Sequence, residues 1–69
     1  TSLEIKILGL LFKSINKVVT RDYIINYIWD ITGNDVNDNT LTVYLKRIRE
    51  KLGVDLIRTV KGVGYRIDE

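Results

Sequence analysis

The chain has 69 residues, 45% of them apolar and 29% charged, with a net charge of +2. A chain of this length forms one small domain with a thin core. It has no cysteine, histidine or proline, which excludes a disulfide framework, a zinc–thiolate site, a thiol nucleophile and the commonest general base and metal ligand.

No apolar run approaches the roughly 20 residues of a membrane span. No secretory signal pattern opens the chain. The absence of cysteine is compatible with a reducing, cytoplasmic setting. No catalytic residue, cofactor or metal is expected, and the chain does not read as an enzyme.

Thr1-Ser2-Leu3-Glu4 forms a capping box before an apolar run. Leu3, Ile7, Leu10 and Leu11 share one helical face, and Ile5, Leu8 and Phe12 widen it. The first helix is expected at 2–13, nearly all of it core. A chain that opens on a helix cap reads as a domain cut from something longer. Ser14 to Lys17 is a polar loop, and Val18-Val19 is β-branched and suits one short strand.

Thr20 is the next cap, with Arg21 and Asp22 in the first turn. Tyr23, Ile24, Tyr27 and Ile28 make an apolar stripe, flanked by Ile25 and Trp29. The second helix is expected at 21–29, with Trp29 as a lid on the core. Asp30 to Val36 contains Thr32-Gly33-Asn34-Asp35, a turn signal, and reads as a loop.

The third helix is expected at 38–52. Leu41, Leu45, Ile48 and Leu52 recur at spacings of four, three and four, one face of an α-helix. The opposite face carries Asn39, Val43, Lys46, Arg47 and Glu50, with Thr42 and Arg49 on its flank. Asn37 or Asp38 suits the N-cap, Val36 a hydrophobic staple on Leu41, and Gly53 a left-handed C-cap. Arg49 lies near the edge of the buried stripe, within reach of Asp55 or Glu50.

Beyond Gly53, Leu56 to Val60 and Tyr65 to Ile67 flank Lys61-Gly62-Val63-Gly64, a β-hairpin expected at 56–67. The G-x-G has no following helix and no Lys-Ser/Thr pair, so it is not a phosphate loop. Charge is unevenly placed. Residues 1–35 are neutral, whereas residues 39–66 hold seven cations against Glu50 and Asp55, a surplus of +5. A basic half beside a neutral half suits a polyanionic partner on one side.

Three helices and a C-terminal hairpin, with the third helix basic outside, make a winged helix-turn-helix: mainly α, a three-helix core plus a C-terminal wing. A helix of this kind fits the major groove of duplex DNA. There arginine forks suit guanine, asparagine suits adenine, and valine or threonine methyls suit thymine. A lysine at a hairpin tip reaches phosphates or the minor groove, and glycines there permit φ > 0 and close approach of backbone to DNA.

The chain resembles the C-terminal effector domains of OmpR/PhoB-type response regulators over essentially its whole length. Thr1-Ser2-Leu3-Glu4 with Ile7-Leu8 is similar to the family's L-T-x-x-E-x-x-L-L opening. Val18 to Trp29 resembles V-V-S-R-E-E-L-L-x-x-x-W. Thr40 to Leu52 resembles T-V-D-V-H-I-x-R-L-R-x-K-L, and Ile57 to Arg66 resembles I-x-T-V-R-G-x-G-Y-R.

The resemblance implies sequence-specific binding of double-stranded DNA by the effector domain of a bacterial two-component transcriptional regulator. The third helix would be the recognition helix, set in the major groove, and the wing would lie on the minor groove or phosphates. The DNA-binding residues it implies are Asn39, Thr40, Thr42, Tyr44, Lys46, Arg47, Arg49, Arg58, Thr59, Lys61, Gly62 and Tyr65. Asn39, Thr42 and Tyr44 stand where the family often has Arg, Asp and His. Trp29 and Tyr65 match positions that touch the phosphate backbone and suit a core equally. The family's four-stranded N-terminal sheet and receiver domain have no counterpart in this sequence. The alternative reading is a winged helix used for protein contact, such as with RNA polymerase through the loop Asp30 to Val36. A dimer on tandem half-sites is a further expectation.

Overall fold

The computed structural model describes residues 2–69, with the order α1 (Ser2–Lys13), β1 (Val19–Thr20), α2 (Arg21–Thr32), α3 (Asp38–Leu52), β2 (Ile57–Val60) and β3 (Gly64–Ile67). This is the winged-helix arrangement. The cap expected at Thr1 lies outside the described residues. No described helix is long and apolar enough to cross a membrane.

Ile7, Leu10 and Leu11 from α1, Ile24 and Ile28 from α2, and Leu41, Leu45 and Ile48 from α3 meet in one core. Val19, Ile57, Tyr65 and Ile67 close it from the sheet. Each helix therefore contributes one stripe. α1 does not fulfil its expected near-total burial: Ile5 is 71% and Phe12 45% exposed. Its neighbours α2, α3 and β3 cover only one side. Ile5 and Leu8 line a shallow apolar groove with Ile48 and Leu52 of α3.

α2 runs three residues beyond its expected end. The Thr32 hydroxyl bonds back to the Ile28 carbonyl at 2.8 Å. Gly33, at φ 70°, then closes the helix with its N–H on the Trp29 carbonyl. Asp30 and Ile31 are thus helical, and the loop to α3 is only 33–37. Trp29 is not a lid on the core but 54% exposed. It follows Ile28 by about 100° of helical rotation, which carries it off the buried stripe.

The hairpin is not a free two-stranded wing. β1 pairs antiparallel with β3, giving the sheet order β1-β3-β2. The strand in β1 is Val19–Thr20 rather than Val18-Val19, because Val19 faces the core whereas Val18 is 38% exposed. Thr20 ends the strand and caps α2, its hydroxyl accepting from the Tyr23 N–H at 3.1 Å. The two wing glycines have different causes. Gly62 has φ 74° in the turn, a conformation that L side chains rarely adopt. Gly64 lies against β1: a Cβ there would strike the Val19 carbonyl oxygen and sit 2.8 Å from the Thr20 Cα. Its small size serves sheet pairing, not approach to a ligand.

Candidate nucleic-acid interface

α3 starts where Asn37, in extended backbone, accepts the Thr40 N–H on its side-chain oxygen at 2.8 Å. It stops at Gly53, which returns its N–H to the Arg49 carbonyl. Asp38 in the first turn and Arg49 and Lys51 in the last match the helix dipole. With Leu41, Leu45 and Ile48 buried, rotation of about 100° per residue assigns the other residues to two flanks and an outer face.

The flank toward the wing holds Asp38, Thr42 and Arg49, and all three are engaged internally. Arg21, the first residue of α2, is the hub. Its Nε donates to Asp38 Oδ1 at 3.2 Å. Its Nη2 donates to the Asp38 carbonyl at 2.7 Å and to Thr42 Oγ1 at 2.9 Å. Its Nη1 donates to the Tyr65 hydroxyl at 2.6 Å. Burial works to lower the Arg21 pKa, but the bonds to Asp38 and Tyr65 outweigh it, and the net shift is upward. Thr42 in turn donates to the Asp38 carbonyl at 3.0 Å. Its hydroxyl is thus committed in both directions, although the residue itself is exposed.

One turn from the C-terminus, Arg49 Nη2 reaches the Ile57 carbonyl at 2.9 Å and Thr59 Oγ1 at 2.7 Å. Its hydrogen-bond partners are these groups of β2, not Asp55 or Glu50. The Tyr65 ring, only 3% exposed, has the guanidinium carbons of Arg21 and Arg49 at 5.6 and 5.7 Å from its centroid, within cation–π range. Tyr65 is therefore a buried spacer between helix and wing, not a surface contact. Two fastenings, through Arg21 and Arg49, make α3 and the sheet one body.

The opposite flank holds Thr40, Tyr44 and Lys51. Thr40 and Tyr44 are half-buried, and Tyr44 packs against the core. Lys51 Nζ donates to Glu4 Oε1 of α1 at 2.5 Å. Glu4 is 4% exposed, and the Lys51 bond holds its carboxyl below the ordinary range. Reciprocally, the Glu4 bond raises Lys51. The sequence suggests only a capping role for Glu4, since nothing local signals a partner 47 positions away.

In the wing, Arg58 and Arg66 are cross-strand partners, a like-charge pairing relieved by Asp68 between them. Arg58 Nε lies 2.9 Å from Asp68 Oδ2 and Arg66 Nε 2.6 Å from Oδ1. The Arg66 Nε contact is ionic only; the hydrogen bond runs from Nη2 to Oδ2 at 3.2 Å. Arg58 and Arg66 thus share a single carboxylate, and the trio keeps a net charge of +1. Lys61 and Gly62 stand exposed at the tip. The turn is held where Val63 accepts the Arg21 N–H at 3.2 Å.

The outer face of α3 is left: Asn39, Val43, Lys46, Arg47 and Glu50, all exposed. Among the described residues, none of the side chains of Asn39, Lys46 and Arg47 makes a hydrogen bond or ion pair, and neither does that of Lys61. Of the twelve residues that the sequence suggested, the structure leaves these four and Gly62 exposed. It places Thr42, Arg49, Arg58, Thr59 and Tyr65 in internal contacts, and Thr40 and Tyr44 on a half-buried flank.

Residues 1–67 match the family model described as "Transcriptional regulatory protein, C terminal". The chain is 39% identical over 66 residues to the response regulator protein PmrA of Pseudomonas aeruginosa, covering 96% of this chain and 29% of that protein. It is 46% identical over 66 residues to the response regulator protein GraR of Staphylococcus saprophyticus, covering 90% and 29%. The chain thus spans under a third of the length of the curated relatives it matches. Among solved structures, the C-terminal domain of the nisin resistance regulator NsrR superposes with a TM-score of 0.83 at 32% identity, covering 100% of this chain and 73% of that one. DrrB, a Thermotoga maritima OmpR/PhoB homologue, gives 0.83 at 28% identity, with 100% and 33% covered.

Proposed function

We propose sequence-specific binding of duplex DNA by this chain, which belongs to the family of C-terminal effector domains of OmpR/PhoB-type response regulators. That family consists of transcription regulators and not of enzymes. The outer face of α3 enters the major groove, which admits a helix and displays a distinct pattern for each base pair. The wing tip, with Lys61, lies on the minor groove or its phosphates. The setting is the bacterial cytoplasm, within a two-component regulator, with copies side by side on tandem half-sites.

One observation carries this reading. Both flanks of α3 are fastened, to the sheet through Arg21 and Arg49 and to α1 through Lys51. The face between them keeps an amide, an apolar side chain, two cations and the Glu50 carboxylate without internal partners among the described residues, a net charge of +1.

A second reading has its own support. Trp29 is 54% and Ile31 36% exposed, next to the loop at 33–37, which is exposed except at Val36, a surface suited to a protein such as RNA polymerase. An NMR titration with a short duplex separates the two. DNA binding shifts the amides of 39–47 and 61–63. A domain that contacts only protein shows no shifts there with DNA at any salt concentration.

A further inference from the structure

We propose that Asn39, Val43 and Arg47 form the base-reading lane of α3 and that Asn39 reads adenine, placing an A·T pair at the end of the half-site nearest the α3 N-terminus. This rests on the DNA-binding reading above and gives it a sequence. The three residues recur every four positions on the outer face. They span eight residues at about 1.5 Å each, or about 12 Å, the length of about three to four base pairs.

The structure removes the competitors. Thr42 has its hydroxyl bonded both ways, by Arg21 and to Asp38. Arg49 is held by the Ile57 carbonyl and Thr59. Tyr44 is packed against the core.

Asn39 sits in the first turn, and the first residues of a recognition helix meet base edges. Its free amide offers one donor and one acceptor, the pattern that adenine N7 and N6 complete. Arginine has donors only and pairs with guanine O6 and N7. Asparagine at this position therefore changes which base is chosen, not merely how tightly. Val43, 45% exposed among polar neighbours, offers an apolar contact of the kind a thymine methyl takes. Arg47, one turn further, carries the fork for guanine. Lys46 is a point charge and suits phosphate.

The test is selection from random duplexes with the chain itself and with Asn39→Ala and Asn39→Arg. Circular dichroism and thermal midpoints check that both variants fold; the site is exposed and tolerates either. In the parent set, one end position of the half-site should favour adenine by about tenfold or more, the scale of one bidentate base contact. Asn39→Ala should reduce that preference to about twofold or less and leave the other positions alone. Asn39→Arg should move it to guanine. An enriched motif whose adenine persists in Asn39→Ala, or one with no A·T pair at either end, overturns the lane while leaving DNA binding intact. No enriched motif and no salt-dependent binding to any duplex overturns the DNA-binding reading, and this inference with it.

Discussion

Arg21 and Lys61 show how differently two cations act at the scale of the residue. Arg21 has a side chain 25% exposed and holds Asp38, Thr42 and Tyr65 at once, so its work is internal. Lys61 stands exposed in the wing turn, and its proposed role is to act by charge. Lys61→Ala should weaken binding to specific and scrambled duplexes about equally and reduce the salt slope by roughly one unit, with little change in stability. Titrations at several salt concentrations read this directly; a loss confined to one base position would contradict it. Arg47→Ala should instead cost about 1–3 kcal/mol on the preferred site, and unchanged affinity in a folded variant would show that it makes no contact. The exposed positions of Asn39, Lys46, Arg47 and Lys61 were legible in the sequence because helical phase and a glycine turn are local. The internal bonds and contacts of Thr42, Thr59, Arg49 and Tyr65 were not. Their partners on other elements lie 8 to 44 positions away, and helical phase says nothing about which flank another element will grip.

At the scale of the element, α3 depends on Leu45, which is 1% exposed at the centre of the stripe. Leu45→Ala should cost about 2–5 kcal/mol, enough to unfold so small a domain. A thermal midpoint within a degree or two of the parent would contradict its place in the core. The caps and stripe of α3 were readable because capping and amphipathicity act within a few residues. The extent of α1 burial was not, since which of its apolar residues are covered depends on how many neighbours pack against it. The α1–α3 tie adds a pH dependence. Glu4 titrates below its ordinary 4.5, so its contribution is present at neutral pH and is lost as pH falls through that lowered value. The midpoint should therefore drop more steeply in acid for the parent than for Glu4→Gln; parallel curves would show that the pair contributes nothing.

At the scale of the whole molecule, the winged-helix class was legible because three helical periods and a glycine hairpin occur in order. The sequence predicts the short strand one residue early, at Val18-Val19, but its pairing with β3 was not legible, because two residues are too few to signal a partner. One such body makes few contacts, so a single copy on a single half-site should bind at about micromolar strength. Two copies should occupy tandem half-sites about one helical turn apart. The central claim is that α3 and the wing tip present free cations to DNA as one rigid surface. Fluorescence anisotropy tests it most directly, on a labelled duplex at several salt concentrations, with the parent chain and with a variant carrying Lys46→Ala, Arg47→Ala and Lys61→Ala together. The parent's affinity should fall with salt at about 0.9 logarithmic units per phosphate contacted, and the variant's slope should be shallower by about two units. Binding that is absent in the parent, indifferent to salt, or equally steep in both proteins would contradict it.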